Sequence, residues 1–229
     1  MKKIEPMKKI NLAIKVLVLS VGAALLLPNS GKADSTGTSP VAATPEKGGK
    51  VLVTYFTWPE PDGVDASSGA SRIIADGKLF GNTEYVARLI AEATGGDLFA
   101  IETEKKYPSP HKPLIDEAKR EQQANERPRL TTSIKNLKDY DVVFVGYPNW
   151  WYDMPMAIYS FFDEYDFSGK TVIPFVTHGG SRFSQSVETI RGLEKKAKVI
   201  EGPSIPGRSV GESRESIQTW LQRQGLLKK

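Results

Sequence analysis

VTYFTWPEPDGVDASSGASRIIADGKLFGNTEYVARLI, residues 53–90, begins as an apolar strand and ends as an amphipathic helix. Tyr55-Phe56-Thr57 closes the strand, and Gly81-Asn82-Thr83 opens the helix. A strand that feeds a helix through a tight Gly/Thr turn makes an anion cradle, because the first N–H groups of the helix are unpaired and carry the positive end of its dipole. Gly81 permits close backbone approach, and Thr57, Asn82 and Thr83 add side-chain donors. The same Gly-Asn-Thr is also an ordinary helix cap. Here the two halves are separated by Trp58 to Phe80, a stretch of 23 residues. The helix is predicted over Asn82 to Thr94, with Tyr85, Val86, Leu89, Ile90 and Ala93 at helical spacing. Asn82 or Gly81 caps it and Gly95-Gly96 ends it.

Downstream, strands and helices alternate. DLFAIE (97–102), DVVFVGYP (141–148), TVIPFVT (171–177) and KVIEG (198–202) read as strands, as does KVLVTYF (50–56) upstream. Helices are predicted over 113–126, 154–165, 185–195 and 212–224. The 141–148 run is apolar throughout, as a parallel strand covered on both faces should be. Five strands alternating with five helices, joined by right-handed crossovers, predict an α/β fold with a parallel sheet between two helical layers. Ligands of such sheets lie at the carboxyl ends of the strands, so the loops after the first, third and fourth strands are the ones to read.

The 229-residue chain is 39% hydrophobic and 25% charged, which suits a globular domain. Its net charge of +4 is spread along the chain, which argues against a nucleic-acid surface. There is no cysteine, so disulfides and thiolate chemistry are excluded, and two histidines are too few for a His-rich metal centre. The amino terminus has a basic stretch, an apolar run at 16–27, and small residues Gly31 and Ala33 at the positions a signal peptidase reads. This is a secretory leader over residues 1–33, and an uncleaved anchor is the competing reading. Residues 34–49 read as a flexible linker and 50–229 as the folded domain. The expected location is exported: periplasmic, cell-surface or secreted.

The loop after the third strand is Tyr147-Pro148-Asn149-Trp150-Trp151-Tyr152, four aromatics in six residues. Such rings can cover a flat heterocycle. One Trp is expected in the core, and Pro148 and Asn149 mark an exposed turn. The loop after the fourth strand is Thr177-His178-Gly179-Gly180-Ser181-Arg182-Phe183, whose glycines expose backbone N–H groups toward a ligand. His178 is placed to donate to a ring oxygen, with an ordinary loop histidine as the alternative. Together the loops imply one ligand, with a phosphate at one end and a planar ring at the other.

On these loops the chain resembles the flavodoxin family, over roughly residues 50–224, in a branch with GNT, GYPxWW and THGGS loops. The resemblance implies a flavodoxin-like three-layer sandwich with a five-stranded parallel sheet of order 2-1-3-4-5 and noncovalent FMN. The phosphate would lie at Thr57 and Gly81-Asn82-Thr83. The ring would lie against Pro148, Asn149, Trp150, Trp151 and Tyr152, against Thr177, and against the 178–183 loop with Gly179, Gly180 and Ser181. Relatives carry electrons or reduce quinones with nicotinamide cofactors, so the implied partners are a redox protein or small acceptor and a nicotinamide donor. Classical flavodoxins are strongly acidic and this chain is mildly basic, which favours a small acceptor such as a quinone. His178 is then the candidate catalytic residue, stabilising charge that develops on the ring.

The chain departs from the family's continuous phosphate loop by the 58–80 insertion. Lengthening a loop costs only about 0.6 kcal/mol per doubling, so the cradle can still close. Arg72-Ile73-Ile74 and Lys78-Leu79-Phe80 around Asp76-Gly77 read as a β-hairpin, a lid or a plug for the site. Asp65 to Ser71 resembles the acceptor motif of exported flavoproteins, with Ser71 as the residue that a flavin transferase would join to FMN. An ordinary Ser/Gly loop is the competing reading. Two other functions are weighed. In the first, Gly207-Arg208-Ser209-Val210-Gly211 matches a serine-hydrolase elbow, but Pro203 and Pro206 stand where a strand is needed and no His follows Ser209. In the second, a flavodoxin-like fold persists as a non-enzymatic binding module whose flavin site the insertion blocks.

Overall fold

The apolar runs pair into one parallel sheet in a computed structural model that describes residues 49–59 and 72–228, all within the compact unit Ala42–Lys229. The leader, most of the linker and the 65–71 segment with Ser71 lie outside the described residues. The strands are β1 (Val51–Tyr55), β2 (Arg72–Ala75), β3 (Lys78–Gly81), β4 (Asp97–Ala100), β5 (Val142–Pro148), β6 (Thr171–His178), β7 (Lys198–Val199) and β8 (Ser204–Pro206). The helices are α1 (Asn82–Thr94), α2 (His111–Ala124), α3 (Met156–Glu164), α4 (Ser186–Leu193) and α5 (Arg214–Gln224).

The main sheet runs β4-β1-β5-β6-β7, with every pairing parallel. With the hairpin set aside, this is the order 2-1-3-4-5. Alternate residues of each strand feed two separate cores. Leu52, Phe56, Val143, Val145, Tyr147, Val172 and Val176 pack with Leu114 of α2, Ile158 of α3 and Ile190 of α4. Val51, Val53, Tyr55, Val142, Phe144, Ile173 and Phe175 pack with Val86, Leu89 and Ile90 of α1 and Ile217 and Leu221 of α5. Both faces are thus covered, as the unbroken apolar strands require.

The last strand departs from the sequence expectation. In place of one strand over 198–202, the edge is split. β7 pairs with the first residues of β6, and β8 pairs with its last three, Val176, Thr177 and His178. Gly202 separates the two, its N–H bonded to Pro174 O at 3.0 Å. A strand therefore does precede Gly207, contrary to the argument used against the hydrolase motif. It leads into a 3-10 turn over Gly207–Glu212, and among the described residues no hydrogen bond joins Ser209 to His178.

The predicted hairpin forms, with β2 and β3 antiparallel around Asp76 and Gly77 at φ 50° and 70°, as a tight two-residue turn demands. Ile73 packs against the α1/α5 core, with its Cδ1 beside Gly211. The Phe80 ring meets Tyr85 and lies under Arg88. Among the described residues no helix is long and apolar enough to cross a membrane.

Candidate functional site

The ends of the insertion meet. Thr57, just past β1, lies against Gly81, the N-cap of α1. A Cβ added at Gly81 would fall 2.0 Å from Thr57 Oγ1. Only glycine fits there, and the divided turn closes into one cradle. No side chain caps α1, so its first-turn N–H groups are left for a ligand. The Asn82 and Thr83 side chains do not face outward as donors. Thr83 Oγ1 shares a 2.8 Å hydrogen bond with Thr177 Oγ1, which ties α1 to β6. Asn82 Nδ2 donates to Gly207 O at 3.4 Å, while its Oδ1 is buried without a partner. The cradle's donors are therefore backbone N–H groups and Thr57.

After β5 the structure corrects the expected exposed turn. Pro148 and Asn149 are buried. Asn149 N donates to Thr177 O at 2.8 Å, and its Nδ2 donates to Arg182 O at 2.8 Å, so this residue locks the loops after β5 and β6 together. The exposed turn comes three residues later, at Trp151 and Tyr152, where Trp150 and Asp153 exchange backbone hydrogen bonds of 2.9 and 3.1 Å. Its central residues, Trp151 and Tyr152, are at φ 52° and 64°. That left-handed backbone is unfavourable for large L-residues by about 1 kcal/mol each and persists where surroundings impose it. Trp151 is held from α2: its Nε1 donates to Ile115 O at 2.8 Å, Lys119 lies over its ring, and Gln122 donates to its carbonyl. Tyr152 is 70% exposed with no such partner. Trp150, as expected of one of the pair, is core and packs edge-on to Phe56 and Tyr107.

His178 ends β6 and is buried. Its Nδ1 accepts from the Gly180 N–H at 2.9 Å, which leaves Nε2 to carry the ring proton. Burial, then the positive charges of Arg182 and Arg208, hold the imidazole below its ordinary pKa, so it is neutral at pH 7. The Gly180 N–H expected to face a ligand is thus already taken, and those of Gly179 and Ser181 remain.

The loops after β5 and β6 border a cleft of about 480 Å³, and the Thr57–Gly81 cradle takes no part in its lining. Asn149 to Tyr152 and Gly179 to Ser181 line it, as the sequence implies. The third contributor is α2, through Leu114, Ile115 and Ala118, which the sequence reading left out. The signal was present as an apolar stripe one turn long on an otherwise polar helix. His178 sits behind the loop rather than on the cleft surface. A second cavity of about 370 Å³ adjoins Thr57 and Trp58 on the β4 side.

The fold recurs in known proteins. The flavodoxin family model matches residues 72–224, so the chain belongs to the flavodoxin family. A Bacteroides uniformis protein, provisionally named a flavoprotein, is 30% identical with a TM-score of 0.59. The match covers 77% of this chain and 99% of that one. A Bacteroides eggerthii protein, also provisionally named a flavoprotein, is 28% identical with a TM-score of 0.58, covering 76% and 97%. A Lactobacillus acidophilus flavoprotein in complex with FMN shares the fold at 18% identity and TM-score 0.53, covering 73% and 99%. No curated protein matches the chain significantly.

Proposed function

We propose that this member of the flavodoxin family binds FMN noncovalently across its carboxyl edge. It would act outside the cytoplasm in electron transfer or in reduction of a small acceptor such as a quinone. The observation that carries the reading is the closure of the divided turn, with Thr57 packed on Gly81 so tightly that no Cβ fits. An insertion that kept the halves apart would have relieved Gly81 of that demand. The flavodoxin relationship, the FMN held by the Lactobacillus acidophilus protein and the leader-like residues 1–33 support it.

In this reading the α1 N-terminus and Thr57 take the phosphate. Tyr152 and Trp151 cover the ring, and the N–H groups of Gly179 and Ser181 face its polar edge. His178, held neutral, fixes the 178–181 loop through Gly180 and keeps Nε2–H as a donor. Leu114, Ile115 and Ala118 give the cleft an apolar wall suited to a flat acceptor. Bound FMN would supply the electron chemistry, with a nicotinamide as a candidate donor. The protein contributes binding, orientation and water exclusion.

Titration of FMN with the domain purified from residue 34 onward tests the reading. Saturable quenching of flavin fluorescence, and turnover of a quinone once a donor is added, are expected. Absence of quenching by protein made both with and without a flavin transferase would defeat it. Flavin that survives denaturation only in the transferase host would assign Ser71 as a covalent acceptor.

A further inference from the structure

We propose that Arg182 and Arg208 form an anion-binding pair that takes a phosphate-class group at the carboxyl edge. The proposal adds to the flavin reading without resting on it. β8 runs beside the last residues of β6, with His178 in register with Pro206. That pairing, which the sequence did not reveal, delivers Arg208 to the same edge as the loop bearing Arg182. The backbone of each arginine segment is pinned from behind by a buried asparagine: Asn149 bonds Arg182 O, and Asn82 bonds Gly207 O. Both side chains are exposed, and their charges bear on the same imidazole.

Neither guanidinium is ion-paired among the described residues. Six other arginines, Arg88, Arg120, Arg127, Arg129, Arg191 and Arg214, each pair with a carboxylate, while Arg223 on α5 is unpaired among the described residues like this pair. Two cations carried to one edge by the β6 and β8 loops, with no carboxylate paired to either, repel one another and oppose protonation of His178. A dianion between them offsets both effects, and the planar guanidinium fork matches phosphate oxygens. One chemistry has two sources here, the phosphate of FMN itself or a phosphate-bearing second reactant.

Histidine ring resonances of the flavin-free domain, which has two histidines, read the site directly. Titration with inorganic pyrophosphate at fixed ionic strength is expected to raise the His178 pKa saturably. Arg182→Gln and Arg208→Gln are each expected to weaken pyrophosphate roughly tenfold, the scale of a charged hydrogen bond. Each is also expected to raise the resting pKa, while Arg182→Lys retains most of the response. No saturable response, or wild-type pyrophosphate affinity in the double Gln variant, would overturn the proposal. FMN-loaded protein separates the sources. A response that survives loading assigns the pair to a second reactant. A response lost on loading, with Arg208→Gln weakening FMN more than riboflavin, assigns it to the flavin's phosphate.

Discussion

The two ends of the carboxyl edge are built on opposite plans. At the α1 end, polar side chains are turned inward: Thr83 bonds Thr177, Asn82 reaches Gly207, and both are almost wholly buried. What faces outward is backbone, and no described non-glycine residue there has positive φ. At the ring end the backbone is distorted. Trp151, Tyr152, Arg182 and Ser184 all have positive φ, and large side chains stand in solvent. If FMN binds as proposed, the α1 end would couple binding to stability, whereas the end at Trp151 and Tyr152 would set binding against it.

Gly81→Ala should have the largest effect. The added methyl displaces Thr57, overpacking that costs about 1–3 kcal/mol, and FMN affinity should fall on the order of a hundredfold. Urea unfolding and flavin titration on one sample would show both losses together. Trp151→Ala should weaken FMN about tenfold yet change stability by less than about 1 kcal/mol, since the residue is 40% exposed. Equal losses of both would break the contrast. Thr83→Val should cost about 1–2 kcal/mol by leaving the Thr177 hydroxyl with one partner fewer, measurable by denaturation without ligand.

Tyr152→Gly sharpens the contrast through its sign. Glycine accepts φ 64° freely, so stability should hold or rise by up to about 1 kcal/mol while FMN binding weakens. A stability loss would show that the Tyr152 ring packs more than its exposure suggests. The smallest effect is in pH. His178 has its pKa lowered in the fold, so between its folded value and the unfolded 6.5 the unfolded chain binds more protons. Its contribution to stability is complete above pH 6.5 and is lost as pH falls toward the folded pKa. His178→Gln should flatten that part of the stability curve, and an unchanged slope would remove the histidine from it.

Much of this was legible because local chemistry and tertiary packing agree. α1 begins and ends where Gly81 and Gly95 place it, and Gly95 takes the left-handed cap at φ 70°. The Asp76-Gly77 turn specified its hairpin outright. The sheet order followed from the family resemblance, and the apolar runs predicted two covered faces. What escaped depends on contacts between distant segments. β8 was hidden by Pro203 and Pro206, which read as breakers but sit compatibly beside β6. The contribution of α2 to the cleft needs the Trp151–Ile115 contact, 36 residues apart, to be seen. The inward turn of Asn82 and Thr83 could not be told from the outward one, because both are consistent with a helix start.

The split edge strand has a consequence for how the sheet meets other chains. A long flat sheet edge offers a row of free N–H and C=O groups on which another molecule can add a strand and seed aggregates. Here that edge consists of the two residues of β7 and the three of β8, separated by a segment with Gly202 and Pro203 and closed by Pro206. Proline has no N–H to donate, so no continuous template survives along the edge. The same interruption that carries Arg208 to the carboxyl edge also guards that side of the sheet against pairing with another chain.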